Sequence, residues 1–576
     1  MKRRTFTTVL ACVVLVLVVA SISWSQVPSQ AQPGAVEQSL EPDRFQEPGQ
    51  IPDLIIQDRT EGEIEGAPGV RFTLKDVRFQ GNTVFSSDTL RGLISDYLGK
   101  SIQVASLTDL TGRITQFYKR NGYILSRAYI PPQKIKDTVV VKVREGRLGD
   151  VIVQGNQRYS NRLITNTLRI IHDRGAVNVK DLERGLLLLT DVPGLEVKAT
   201  LKPGTEPGTT DIVLDAMEDR GYHVGIDYNN YGTDVVSEHR FGVSASATNL
   251  TGMGDLISVR GVTGEEGFSG LLYARADYSM LLGYEGARFG LYLQHLEYEL
   301  QEEFEAFDYE GRSFAGGAWV SYPFYRTRQF SWWGEVGLDV LNQEQEILGE
   351  DIGEDRLRPI YVANTFQIND RFGGRNSLRL NAVFNRDSFL GGTDDNDDDM
   401  IRLETEYNFF KLEVDVARYQ KLPAGFGLIL SAAGQISDDR LPSAEQLAMG
   451  GQGTVRGYEQ SEFSADNGGY FNAELRIPIL GAENVKWFGT GKTIGETLQF
   501  ALFVDGGFAN INDPMSDSEE AMDDADFGGG GLGLRFTYSP WFQLHADYAH
   551  HLFGDDPQDE DVEDNGIFYI RASLMY

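Results

Sequence analysis

From residue 220 to its end, the chain alternates apolar and polar positions in segments separated by glycine, aspartate and asparagine. In the first segment Tyr222, Val224, Ile226 and Tyr228 alternate with His223, Gly225, Asp227 and Asn229. A period of two puts the first set on one face of a strand and the second on the other. An apolar face with aromatics at both ends, backed by a polar face, is the pattern of a membrane barrel strand with lipid outside and lumen inside. Phe241, Val243, Ala245 and Ala247 repeat it against Arg240, Gly242, Ser244 and Ser246, and Phe330, Trp332, Val336, Leu338 and Val340 oppose Glu335 and Asp339. Strands are predicted to start near residues 220, 239, 255, 269, 287, 312, 328, 356, 376, 402, 426, 469, 497, 527, 541 and 567. Sixteen is an even number, as in single-chain outer-membrane barrels. In the last strand Phe568, Ile570, Ala572, Leu574 and Tyr576 share a face, so the chain stops on an aromatic placed for an interfacial girdle. Phe568 and Tyr576 are the candidate signal for the barrel assembly machinery.

Ahead of this region, residues 70–219 contain an internal repeat. VRFQGN at 77–82 recurs as VIVQGN at 151–156. Each copy is an alternating strand ending in a Gly-Asn turn pair, followed by a serine (Ser86 or Ser87, then Ser160) that can cap a helix. Leu107, Leu110, Ile114 and Phe117 recur at helical spacing, and Gly122 ends that helix. Strands over 124–130 and 138–143 close the first unit, and strands over 195–201 and 210–215 close the second. Two tandem α+β modules of order β-α-α-β-β are predicted, at 70–146 and 147–219, with the barrel over 220–576. A three-stranded sheet has edges that an extended segment of another chain can pair with.

The N-terminus sets the compartment. Lys2, Arg3 and Arg4 precede an apolar run at 9–20 and then small and polar residues, which is an export signal over 1–25 with cleavage between 25 and 31. The run is shorter than the roughly 20 residues of a spanning helix. Cys12, the only cysteine, lies inside it, so the exported chain has neither disulfides nor thiolate metal sites. Residues 26–69 carry Pro28, Pro33, Pro42, Pro48, Pro52 and Pro68 among polar and acidic residues, and form a linker or arm. Gly 64, Tyr 25, Phe 32 and a formal net charge of -33 describe an exported, glycine- and aromatic-rich β protein. That charge repels phosphate and argues against nucleic acid as a partner, whereas membrane lipid suits the apolar faces.

One segment carries candidate chemistry. Residues 450–460, GGQGTVRGYEQ, set a single cation, Arg456, in a glycine-rich stretch. The spacing rejects a phosphate loop, because no Gly-Lys-Ser/Thr follows. There is no HExxH and no GxSxG, and His550 and His551 on one strand point to opposite faces. DDNDDD at 394–399 fails the calcium-loop template, since Asp399 and Thr405 stand where Gly and Glu are required. No enzyme, metal or cofactor is expected.

Together, the two tandem modules, the sixteen-strand barrel and the GG-x-x-x-VRGY segment resemble the outer-membrane transporters of two-partner secretion, the TpsB family of haemolysin and haemagglutinin secretion within the BamA-like superfamily. The modules resemble polypeptide-transport-associated (POTRA) domains. The resemblance implies that Val455, Arg456, Gly457 and Tyr458 form a gating loop folded back into the barrel between strands 11 and 12. It also implies that Arg456 meets the F-x-D motif of strand 13, here Phe503, Asp505 and Gly506. Family members can also have an N-terminal plug helix; the matching stretch here, 35–46, is broken by Pro42 and poorly patterned, and the sequence leaves the presence of a plug open. The implied function is export of an unfolded haemolysin- or adhesin-like exoprotein, captured in the periplasm. An assembly factor for other barrels would usually have more modules. A passive porin would not need the repeat.

Overall fold

The computed structural model describes residues 28–40, 54–56 and 71–576, apart from short stretches at 136, 170–174, 207, 398, 480, 482–484, 488–492, 515–522 and 539–540. The expected export signal, with Cys12, lies outside the described residues.

The arm holds two elements. Helix α1 spans Pro33–Leu40 and strand β1 spans Leu54–Ile56. On the stretch where the sequence leaves a plug helix open, a helix forms, shifted toward the N-terminus of the 35–46 candidate. Proline at its first position suits the fixed φ of a helix start, and it ends ahead of Pro42, which disfavours helical backbone at residue 41. Its poor patterning follows from its surroundings. Val36 and Leu40 pack with Val262, Leu271, Tyr273, Leu296 and Tyr298 on the inner wall, while Glu37 accepts hydrogen bonds from Gln294 and Ser313. A helix enclosed by protein needs no single apolar stripe.

The first module comprises β2 (Asp76–Gln80), α2 (Ser87–Gly92), α3 (Ser106–Arg120), β3 (Arg127–Tyr129) and β4 (Thr138–Arg144). β4 is central, parallel to β2 and antiparallel to β3. The second comprises β5 (Arg147–Gln154), α4 (Asn161–Thr167), α5 (Val179–Thr190), β6 (Leu195–Pro203) and β7 (Thr209–Glu218). Its sheet runs β1-β6-β7-β5, with the arm's strand on the outer edge. The repeat recurs in atomic detail. Gly81 and Gly155 have φ of +81° and +84°, and a Cβ on either would lie within 2.5 Å of a carbonyl oxygen on the module's last strand. The chain turned by that glycine is then held by a glutamate from the end of the last strand. Thr83 and Val84 N–H donate to Glu145 at 2.8 and 2.9 Å, and Gln157, Arg158 and Tyr159 N–H donate to Glu218 at 2.8 to 3.1 Å. Burial pushes both carboxyls up, and these hydrogen bonds outweigh it and leave them below the ordinary glutamate value.

The second module docks on the barrel's periplasmic rim. Val192 and Leu195 pack with Leu281 and Tyr284, and Arg326 clamps Asp191 at 2.7 and 2.9 Å. The barrel itself is closed and antiparallel. Its sixteen strands are β8 (Tyr222–Asn229), β9 (Arg240–Thr248), β10 (Leu256–Gly264), β11 (Gly267–Leu281), β12 (Arg288–Glu299), β13 (Tyr309–Arg326), β14 (Phe330–Ile347), β15 (Glu350–Leu357 and Ile360–Asn369), β16 (Gly374–Phe384), β17 (Phe410–Lys421), β18 (Gly427–Ser437), β19 (Asn467–Pro478), β20 (Leu498–Asn510), β21 (Asp524–Thr537), β22 (Phe542–His551) and β23 (Ile567–Met575). Closure is made by β8 pairing with β23, from Gly225 opposite Met575 to Asn229 opposite Arg571.

Two expected strand positions are corrected. The strand placed near 402 begins at Phe410, because residues 402–409 are pinned in a loop by buried polar contacts of Arg402 and Tyr407. The strand placed at 356 begins at Glu350 and breaks at Pro359, which has no N–H to donate. Both of its halves pair with β14, so they count as one strand.

The alternation sorts lipid side from lumen. Val224 and Ile226 are 46% and 54% exposed on the outer face, while Gly225 is buried and Asp227 points inward to a paired contact with Arg260 at 3.1 Å. Val224→Arg is expected to cost on the order of 2–4 kcal/mol near the bilayer midplane, read by denaturant titration of the barrel folded into lipid vesicles. Asp227→Asn should insert normally; the reverse result would put the register off by one residue.

Candidate functional site: the loop folded into the lumen

The long loop at 438–466 leaves the extracellular end of β18, turns into the lumen and returns to β19. A short pairing of Leu447–Met449 with Phe463–Ala465 makes its neck. Gly450, Gly451 and Gly457 all have φ near +100°, which lets the tip reverse direction twice.

At the tip Arg456 is 5% exposed and Asp505 is fully buried. The guanidinium forks onto the carboxylate, Nε to Oδ2 at 2.6 Å and Nη2 to Oδ1 at 2.9 Å, and the Arg456 N–H adds a third bond at 3.2 Å. Phe503, two residues before Asp505 on the same face of β20, stacks its ring 3.4 Å under the guanidinium carbon. Phe503, Asp505 and Arg456 therefore meet; Gly506 does not join them, pairing instead across from Phe471 on the outer side.

The arginine also belongs to a wider network. Its Nη1 lies 3.3 Å from Glu474 on β19 and 3.6 Å from Asp547 on β22. Arg535 on β21 bridges those same two carboxylates at 2.6 Å each, and Arg476 holds Glu474 at 3.0 Å. Three cations face three carboxylates, so every charge in the cluster has a counter-charge within bonding distance.

The other motif residues anchor the backbone. Val455 is fully buried with Met449, Tyr458 and Phe527. The Tyr458 hydroxyl donates to the Asp555 carbonyl at 2.8 Å and accepts from Gly528 N–H at 3.1 Å. Gly457 N–H donates to the Tyr569 hydroxyl, which in turn donates to the Tyr458 carbonyl. Phe568, one residue earlier, faces outward and is 53% exposed, as is Tyr576 at 66%.

Comparison with known proteins assigns this architecture. The profile of the haemolysin secretion/activation protein family ShlB/FhaC/HecB matches residues 208–536, and that of the ShlB-type POTRA domain matches residues 72–146. The chain belongs to the ShlB/FhaC/HecB family. It is 25% identical over 428 residues to the heme/hemopexin transporter protein HuxB of Haemophilus influenzae, covering 72% of this chain and 74% of that one. It is 24% identical over 433 residues to the outer membrane transporter CdiB of Dickeya dadantii, with the same two coverages. The solved structure of CdiB from Escherichia coli superposes with a TM-score of 0.72 at 20% identity, covering 90% of this chain and 93% of that one, and so shares the fold. The protein is thus a transporter of the outer membrane with its modules in the periplasm, and its partner is a secreted exoprotein.

Several residues of the transporter's site were not nominated from sequence. Glu474, Arg535 and Asp547 lie on three separate strands, and nothing in their spacing announces a cluster. The slot that admits the loop did leave a signal. Gly528, Gly529, Gly530 and Gly531 interrupt β21, and a Cβ on Gly529 would sit 1.7 Å from the Arg456 carbonyl. A glycine run inside a strand marks a close backbone approach.

A second anchor holds the loop's stem. Asp466, fully buried, takes both Arg402 Nη groups at 2.6 and 3.0 Å, Leu441 N–H at 3.0 Å and Asn512 N–H at 2.8 Å. One carboxylate therefore ties the loop after β16, the lumen loop and the loop after β20 into a single extracellular cover.

Arg456→Ala leaves Asp505 buried with no cation on it, whereas Glu474 and Asp547 keep Arg535. Breaking such a pair typically costs roughly 3–5 kcal/mol, less where lumen water enters. Barrels of Arg456→Ala and Asp505→Ala should insert, lose docking of the tip and show larger or noisier single-channel conductance. The double variant should match the worse single one, because the pair acts as a unit; additive losses would assign Arg456 another essential partner. Asp466→Ala should instead open the cover, exposing Arg402 and Arg440, now 7% and 3% exposed, to trypsin at the cell surface. Unchanged cleavage would remove Asp466 from that role.

Proposed function

We propose that the transporter captures an unfolded exoprotein on its two periplasmic modules and passes it through a barrel whose resting lumen is filled by α1 and the VRGY loop. The observation that carries this reading is the double closure. Ser29 and Gln30 beside α1 bond to residues 459, 461 and 462 of the loop, and Gln38 of α1 donates to the Gln446 carbonyl at 2.7 Å. Helix and loop thus close the conduit as one body, and passage of a chain requires both to move. A passive porin, which conducts at rest, fits such a lumen poorly, and an assembly factor of the same superfamily usually has more modules.

Val455, Arg456, Gly457 and Tyr458 are assigned as the gate and Phe503 and Asp505 as its wall partner. The modules span 70–146 and 147–219 and the barrel 220–576. Membrane lipid contacts the outward aliphatic faces, and the barrel assembly machinery reads the last strand through Phe568 and Tyr576. The reading contains no chemical step, and with no nucleotide motif in the sequence the driving force is supplied by the exoprotein folding outside the cell.

Capture and conduction lie on different parts of the chain. Deleting residues 70–219 should leave an inserted, heat-modifiable barrel and abolish appearance of the exoprotein in the medium. Normal export by the truncated protein would overturn the proposal.

A further inference from the structure

A buried ammonium needs carboxylates and carbonyls within reach, and whatever supplies them is held in place by it. Lys411 on β17 is 5% exposed. Its neighbours Phe410, Leu412, Val414 and Val416 form the outward face of the strand, so Lys411 points into the lumen. Its Nζ lies 3.0 Å from Glu413 on the same strand and 2.8 Å from Glu445, in the short turn Ser443–Glu445 of the lumen loop. It also donates to the Glu445 carbonyl and to Gln435 Oε1 on β18, both at 3.1 Å. The Gln435 amide donates to that same carbonyl at 2.8 Å. Two wall strands therefore grip one residue of the loop, by its side chain and its backbone at once.

The gripped turn is where α1 rests. A Cβ on Gly34 would lie 2.5 Å from the Ser443 carbonyl oxygen and the Ala444 Cα, so helix and turn are in backbone contact. Just beyond the turn, Gln38 of α1 donates to the Gln446 carbonyl at 2.7 Å and accepts from Ala448 N–H at 3.3 Å. The helix also bonds to the wall. Arg240 on β9 donates to the Ser39 carbonyl at 3.2 Å, and the Tyr298 hydroxyl on β12 donates to the Ala31 carbonyl just ahead of the helix. A chain of contacts thus crosses the lumen, from β9 and β12 through α1 and the descending leg of the loop to Lys411 on β17. Arg456 holds the loop's tip and Asp466 its stem. The leg between them, on which the helix leans, is held to the wall by Lys411 and Gln435.

We propose that Lys411 is a positioning residue for α1: through Glu445 it sets the leg of the loop against which the helix packs, and so decides how firmly the helix stays in the lumen. This rests on the reading above that helix and loop close the conduit together. A lysine suits the task because its compact ammonium serves the Glu445 carboxylate, the Glu445 carbonyl and Glu413 from one point. Lys411→Met keeps the length and the apolar stem of the side chain and removes the cation that the two carboxylates share. The leg is then freed at its middle, while the tip keeps Arg456 on Asp505 and the stem keeps Arg402 on Asp466. The element that loosens is α1.

Thiol labelling tests it on the full-length protein folded in detergent. With Cys12→Ser removing the only native cysteine, single cysteines at Val36 in α1 and at Val455 in the tip report the two elements, since both positions are buried. Lys411→Met should raise the rate at which a polar maleimide labels Val36→Cys by about tenfold or more, and leave the rate at Val455→Cys within about twofold. Glu445→Gln removes the same ion pair from the loop side with the wall intact, and should act in the same direction. Lys411→Arg, which keeps a cation, should label Val36→Cys within about threefold of the lysine protein. An unchanged rate at Val36→Cys in both Lys411→Met and Glu445→Gln overturns the proposal. So does acceleration at both reporters together, which would make Lys411 a general support of the loop, and so does a Lys411→Arg rate as fast as that of Lys411→Met, which would take the grip away from the charge. Labelling needs no exoprotein, so the positioning role and the export reading fail separately.

Discussion

A guanidinium removed from bulk water must find counter-charge, and the arrangement of the lumen follows from that requirement at Arg456. Its partner Asp505 cannot be shared with solvent, since the carboxylate is fully buried. The pair is therefore strong only while the loop tip stays seated against β20. Glu474, Asp547, Arg535 and Arg476 extend the neutralised patch over four adjacent strands, β19 to β22, so the tip rests on a surface that is charged but balanced. Phe503 adds a face to the guanidinium that water would otherwise occupy.

Seating the loop this deeply constrains the wall. The glycines of β21 give up side chains so that the Arg456 carbonyl can lie against the strand, and the Tyr569 hydroxyl on β23 accepts from Gly457 N–H and donates to the Tyr458 carbonyl of the loop. Above it, Asp466 binds the loop's stem to the extracellular loops on either side. The two anchors divide the labour: one fixes the tip in the lumen, the other holds the cover over its mouth.

Helix α1 packs on the inner wall of the barrel and leans on the same loop. Its close contact is built on Gly34, where a Cβ would lie 2.5 Å from the loop backbone at Ser443 and Ala444. The arm that carries α1 also supplies β1 to the sheet of the second module, itself clamped to the barrel rim.

The local periods of the sequence determined a great deal. Alternation with period two separates outside from inside along sixteen strands, because every second side chain must meet lipid, and the tandem Gly-Asn turns mark two modules of one design. Arg456 and Asp505 were nominated together through a resemblance, and they lie 2.6 Å apart. Period arguments failed where the environment is not two-sided. α1 is surrounded by protein and shows no stripe, residues 402–409 alternate in sequence but are held in a loop by Arg402 and Asp466, and Pro359 splits β15. Only the tertiary structure could bring Glu474, Arg535 and Asp547 to one point, or lay residues 54–56 on β6, because barrel closure and strand addition join positions far apart in the chain and leave no periodic trace in it.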